Sequence, residues 1–134
     1  MCLIAVAWKV HPRFPLALIA NRDEAHARPT AAAGFDARHP DVYGGRDLAQ
    51  GGGWLMASTR GRLAAVTNVR TGPRPPDAPR SRGALVRAFA GGEVAAMPWL
   101  ASLMPTAPTY GPFNLLARGG CLRTPVPRRP TPAG

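Results

Sequence analysis

Residues 1–24 run Met1-Cys2-Leu3-Ile4-Ala5-Val6-Ala7-Trp8, then Lys9-Val10-His11-Pro12-Arg13-Phe14-Pro15, then Leu16-Ala17-Leu18-Ile19-Ala20-Asn21-Arg22-Asp23-Glu24. The first block is short, apolar and β-prone, the pattern of a largely buried strand. Pro12 and Pro15 close off any helix between it and the second apolar run, Leu16 to Ala20. Strand, proline-rich turn and strand predict an antiparallel hairpin, which sets the start of one strand beside the end of the next. Cys2 is thereby expected beside the polar cluster Asn21-Arg22-Asp23-Glu24.

That neighbourhood gives Cys2 a chemical reading. Loss of Met1 would place a thiol and a free α-amine on one residue, and an α-amine with a pKa near ~8 serves as a general base at neutral pH. One residue would then supply both nucleophile and base. Arg22 near the sulfur would favour thiolate, and the Asp23 carboxylate would orient the α-amine. Asn68, at the end of a later apolar run, is a candidate donor to a developing oxyanion. Asn21 and Glu24 complete the set as candidate substrate contacts. The competing reading makes Cys2 a small packing residue and the cluster a solvated turn with a local salt bridge.

Working outward, residues 25–53 hold turn chemistry in Arg28-Pro29-Thr30, His39-Pro40-Asp41 and Gly44-Gly45-Arg46-Asp47, so an extended loop with little regular structure is expected. Residues 54–58 and 63–69 predict a second hairpin turning at Thr59–Gly61. A proline-rich loop follows over residues 72–80. Ser81 then suits the N-cap of a helix carrying Leu85, Val86 and Phe89 and stopped by Gly91-Gly92. A second helix is expected over residues 93–104 with Pro98 near its start, and a further strand from Pro112 to Leu116. The eighteen residues 117–134 contain four Arg, four Pro, three Gly and two Ala without an acid. They are expected to be disordered, with the composition of a shifted reading frame through GC-rich DNA.

The chain of 134 residues fits one domain, and 46% hydrophobic residues suit a globular fold. Its net charge of +10 comes from sixteen arginines and the single Lys9. These are scattered through loops and the C-terminal segment, with no clustered face or stacking aromatics, which argues against nucleic-acid binding. Cys2 and Cys121 form neither a disulfide framework nor a zinc motif. No run approaches the ~20 apolar residues needed to cross a bilayer, and the N-terminus lacks the positive region of a signal peptide. A soluble cytoplasmic protein with reduced thiols is expected.

Several multi-residue motifs, in order, resemble the NRDE family, that of the transport and Golgi organisation protein 2. They are residues 1–8, residues 16–24 followed by Arg28-Pro29, Gly44-Gly45-Arg46-Asp47, Gly53-Trp54-Leu55, residues 65–70, Ser81-Arg82-Gly83 and Phe113-Asn114-Leu115-Leu116. The resemblance implies an α+β fold related to N-terminal nucleophile hydrolases, two antiparallel sheets between helical layers (αββα). Acylases of that wider group, which cleave amides in penicillins and bile salts, carry comparable residues where this chain has Cys2, Arg22, Asp23 and Asn68. The family's involvement in haem trafficking and lipid or acyl-CoA homeostasis implies a non-enzymatic alternative, with haem, an acyl group or a small amide as the ligand and no cofactor required. For haem, Cys2, His26 and His39 are the residues that could offer iron ligands. Family members are longer, so the resemblance implies a partial domain over residues 1–116 and a truncated or frameshifted end.

Overall fold

The computed structural model describes residues 2–69 and 80–119. The expected first hairpin is present. Strand β1 (Leu3–Trp8) pairs antiparallel with β2 (Leu16–Asn21), Leu3 opposite Asn21 and Trp8 opposite Leu16. Lys9 enters the connection with φ 54°, and its N–H donates to the Pro15 carbonyl at 2.8 Å, closing the turn that Pro12 and Pro15 keep from becoming helical.

The other strands form one antiparallel sheet in chain order: β3 (Thr30–Phe35), β4 (Val42–Asp47), β5 (Leu55–Ser58), β6 (Leu63–Asn68) and β7 (Phe113–Arg118). The second expected hairpin is β5–β6, with Ser58 N–H bonded to Arg62 O and Gly61 at φ 79° in the turn. Between β6 and β7 lie α1 (Arg82–Gly91), α2 (Ala96–Leu103) and a 3₁₀ turn over Ala107–Tyr110. The fold is α+β, with a two-stranded and a five-stranded sheet.

Residues 25–53 correct the expectation of an irregular loop, because β3 and β4 lie within them. Alanine and glycine give these strands no hydrophobic alternation, so their pairing comes from neighbours. Gly44 shows how closely: a Cβ there would stand 2.6 Å from the Leu55 carbonyl oxygen and 2.8 Å from Met56 Cγ. The ladder between β3 and β4 shifts between Ala31 and Gly34, a local irregularity that sequence pattern does not announce.

The helices differ from expectation in detail. Ser81 stands at the N-cap of α1 but makes no side-chain cap bond; its carbonyl accepts from Ala84 N–H at 3.1 Å. The second helix starts at Ala96 rather than residue 93, placing Pro98 in its first turn, where its missing N–H leaves no helical bond unmade. Strand β7 continues through Ala117 and Arg118, which pair with Ala64 and Leu63, two residues past the expected domain boundary at 116. The expected proline-rich loop, apart from Arg80, and the tail from residue 120, with Cys121, lie outside the described residues.

Strand alternation sorts the sheet into two faces. Val42, Met56, Ala64 and Val66 pack with Val86, Phe89 and Ala90 of α1 to form the core. The turn from α1 is fixed by Arg62, which donates Nε–H to Phe89 O at 2.8 Å and Nη2–H to Val94 O at 2.7 Å, its guanidinium carbon 4.0 Å from the Phe89 ring centroid. On the opposite face, Leu55, Ala57 and Leu63 look across to Leu16 and Leu18 of the hairpin. Hairpin, sheet and helices thus stack in that order.

Asp36, just after β3, is buried and receives Nε–H and Nη2–H of Arg87 at 2.5 and 2.7 Å, tying the β3–β4 connection to α1. The Arg87 hydrogen bonds hold its carboxyl down at about 2, against the upward push of burial, helped by the Arg38 N–H. Among the described residues, no helix is long and apolar enough to cross a membrane.

Candidate functional site

Pairing of Leu3 with Asn21 sets Cys2 beside the residues that follow β2. The Asp23 N–H donates to Cys2 Sγ at 3.4 Å, and Sγ lies 3.9 Å from the Asp23 carbonyl oxygen as a donor. Asn21 closes the end of the hairpin, its Oδ1 accepting Leu3 N–H at 2.9 Å. The thiol is half-buried, which suits a group held in place yet reachable.

Arg22 and Glu24 extend the cluster. Arg22 Nη1–H donates to Thr30 Oγ1 at 3.1 Å, and Nη2 lies 3.8 Å from Glu24 Oε2. Glu24 Oε1 also accepts the Ala25 N–H at 3.0 Å. The guanidinium is therefore engaged with Thr30 and Glu24, while the sulfur is held by the Asp23 backbone.

Thr30 links this cluster to a second one. Its hydroxyl donates to Arg28 O at 3.3 Å, and as the first residue of β3 it pairs with Asp47 at the end of β4. Arg28 grips Asp47 with two parallel bonds, Nε to Oδ1 at 3.1 Å and Nη2 to Oδ2 at 2.6 Å, and reaches Gln50 Oε1 at 3.1 Å. The Arg28 bonds hold the Asp47 carboxyl below the usual carboxylate range, opposed by burial and assisted by the Ala49 N–H and the charges of Arg28 and Arg22. Asp47 in turn raises the Arg28 guanidinium further. Thr30, Arg28 and Asp47 were not among the expected site residues, because they fell in what read as loop. Their signal was Arg28-Pro29-Thr30 and Gly44-Gly45-Arg46-Asp47, two charged motifs within that stretch that read as turn chemistry.

Asn68 stands apart. It ends β6 opposite Phe113, at the same end of the sheet as Thr30, but β3 and β6 are separated by three inter-strand steps, roughly 14 Å. Alternation puts Asn68 and Phe113 on the face toward α1, where Phe113 packs on the core. The residues of this end that face the hairpin side are Thr67 and Asn114, joined by an Nδ2–H to Oγ1 bond at 3.3 Å. The structure thus brings Cys2, Asn21, Arg22, Asp23 and Glu24 together and leaves Asn68 outside the group.

Beside this cluster, a cavity of about 650 Å³ separates the hairpin from the five-stranded sheet, reaching from Thr30 and Trp54 to Phe14 and Leu63. Of the histidines raised as iron ligands, His26 is exposed before β3 and His39 packs against Gly91. Among the described residues, no group of three or more His, Cys, Asp and Glu side chains could hold a metal ion.

The fold and site define a class: an α+β protein whose first hairpin presents a cysteine at position 2 to an Asn-Arg-Asp-Glu turn. The sequence model of the family described as Transport and Golgi organisation 2 matches residues 1–122, and the chain belongs to that family. Over 124 residues it is 35% identical to the mouse "Transport and Golgi organization 2 homolog" and 37% identical to the bovine "Transport and Golgi organization protein 2 homolog". The fruit-fly "Transport and Golgi organization protein 2" is 32% identical over 129 residues. Each alignment takes in 87% of this chain and 45% of the relative, so the chain spans about half the length of the curated relatives it matches.

Proposed function

We propose that this chain carries the nucleophile-bearing part of an N-terminal-nucleophile amidohydrolase, related to the αββα acylases. The observation that carries the reading is the Asp23 N–H bond to Cys2 Sγ, which anchors the thiol against the Asn-Arg-Asp-Glu turn. The reaction class comes from the resemblance to cysteine acylases.

After removal of Met1, the Cys2 thiol proton passes to its own α-amino nitrogen as Sγ attacks the amide carbon. The C–N bond breaks, the ammonium proton goes to the departing nitrogen, and a thioester remains on Sγ. Water then attacks the thioester; its proton passes through the α-amine to Sγ, and the carboxylic acid leaves. Asn21 and Glu24 are the substrate contacts in this reading, with Arg22 paired to Glu24 and its guanidinium fixed by Thr30. No step is assigned to Asn68, which ends β6 opposite Phe113 on the helical side of the sheet.

Intact-mass measurement on the chain incubated with an N-acyl p-nitroanilide tests the reading. Loss of Met1 and a Cys2-borne acyl adduct are expected; Met1 retained in the natively produced chain overturns the self-activating mechanism.

A second reading, a carrier within the transport family, is favoured by the apolar cavity between the layers. It predicts reversible ligand binding that survives Cys2→Ser, with haem as one ligand to try. An unchanged Soret band on titrating haem with the chain would remove haem from consideration.

A further inference from the structure

The exposed aromatic side chains gather at one end of the molecule. Of the three Trp, two Tyr and four Phe, the exposed ones are Trp8, Phe14, Phe35 and Tyr43. Trp8 and Phe14 flank the turn of the first hairpin, Trp8 ending β1 opposite Leu16. Val42 packs in the core with α1, so alternation turns its neighbour Tyr43 to the hairpin side. There Tyr43 and Phe14 line the same space. Phe35 is the cross-strand partner of Tyr43, and their rings meet edge to face with centroids 5.3 Å apart. Between Trp8 and Phe14 the turn is exposed throughout, and Val10 on it is 77% exposed.

This end is also cationic. Residues 1–22 contain no Asp or Glu, and Lys9 and Arg13 lie in the turn. Lys9 Nζ stands 5.4 Å from the Trp8 ring centroid and the Arg118 guanidinium carbon 4.3 Å from it, while the Arg13 guanidinium carbon stands 5.7 Å from the Phe14 centroid. The acids next to Phe35 and Val42 are taken up, Asp36 by Arg87 and Asp41 by Arg60. Apolar side chains, amphipathic rings and cations in one exposed patch complement the interface of an anionic bilayer. Single-stranded nucleic acid also selects aromatic and basic residues, but it stacks bases on open ring faces along a groove. Here the rings of Trp8 and Phe14 already carry cations, Phe14 also meets His11 at 5.1 Å, and the patch is a turn led by valine. We propose that the hairpin tip docks the protein on the surface of an anionic phospholipid bilayer. Val10 and Phe14 enter the headgroup–acyl boundary, Trp8 and Tyr43 lie at headgroup level, and Lys9 and Arg13 meet the negative headgroups. The surface lies at the opposite end of the hairpin from Cys2 and uses neither the thiol nor the α-amine.

The test measures co-sedimentation of the full 134-residue chain with vesicles of phosphatidylcholine alone and of phosphatidylcholine with an equal part of phosphatidylserine. Binding about tenfold or more tighter to the anionic vesicles is expected, and Lys9→Gln with Arg13→Gln should lose roughly fivefold per cation removed. Arg128→Gln with Arg129→Gln takes the same charge from the C-terminal segment and should leave binding nearly unchanged. Lipid with brominated acyl chains should quench the tryptophan fluorescence, and Trp8→Phe should remove most of that quenching while still binding. Equal binding to the two vesicles overturns the proposal, as does an equal loss in the two double variants or quenching that persists in Trp8→Phe. Polyuridylate that strips the chain from the vesicles, and itself fails to bind the Lys9→Gln, Arg13→Gln chain, would assign the tip to nucleic acid and overturn it too. Should that double variant fail to fold, the quenching and its loss in Trp8→Phe decide. Cys2→Ser should bind the vesicles as the unaltered chain does, and failure of acyl transfer bears only on the amidohydrolase reading.

Discussion

Cys2 is held by a backbone donor, and the side chains around it are held by one another. The Asp23 N–H fixes Sγ, Thr30 fixes Arg22, and Arg28 fixes Asp47 across the strand pair from Thr30. Cys2→Ser should therefore abolish thioester formation while leaving the thermal midpoint within a few degrees, measured by adduct mass and melting. Asn68→Ala makes a sharper comparison. An oxyanion donor is worth roughly 10²–10³ in turnover, but an exposed strand-end residue on the helical side should change acyl transfer by less than about tenfold. A loss of a hundredfold or more in single-turnover acylation would restore Asn68 to the site. The position of Cys2 was legible from two apolar runs and two prolines. The face of Asn68 was not, since it depends on which side of the sheet the helices cover.

At the scale of elements, the strands that sequence missed are held by close backbone approach rather than large side chains. Gly44 sits against the Leu55 carbonyl, and Gly52 sits against Gly83 at the start of α1, where a Cβ would lie 2.5 Å from the Gly83 carbonyl carbon. Gly44→Val should destabilise the chain by about 1–3 kcal/mol, read from denaturant midpoints, because backbone cannot yield as a flexible side chain does. Arg62 has the opposite character, a buried cation that ends α1 by bonding two carbonyls. Arg62→Met should cost roughly 2–3 kcal/mol by leaving Phe89 O and Val94 O without it. The apolar periodicity of β5, β6 and α1 made these elements readable. β3 and β4 escaped because Ala and Gly carry no alternation, and their order is conferred by β5.

Across the whole molecule, the Asp36–Arg87 pair joins the strand region to the helical layer and gives stability a pH dependence. Asp36 has a folded-state pKa lowered to about 2 from 3.8, so its contribution is present above the unfolded value and is lost as pH falls through the folded one. The window is about pH 4 to 2, and the contribution is roughly 2 kcal/mol. Melting curves across that window should flatten in Asp36→Asn relative to the unaltered chain. The α+β class and family membership followed from motifs spread along the chain, whereas the interlayer cavity and the Trp8–Arg118 stack emerge only once both sheets are assembled.

The central claim is that the hairpin turns Cys2 into an N-terminal nucleophile, and intact mass after incubation with an N-acyl p-nitroanilide tests it most directly. The predicted result is a chain lacking Met1 that gains one acyl group, released from Cys2 by hydroxylamine and absent in Cys2→Ser. A chain that keeps Met1, or that loses Met1 yet takes up no acyl group at Cys2, would contradict it.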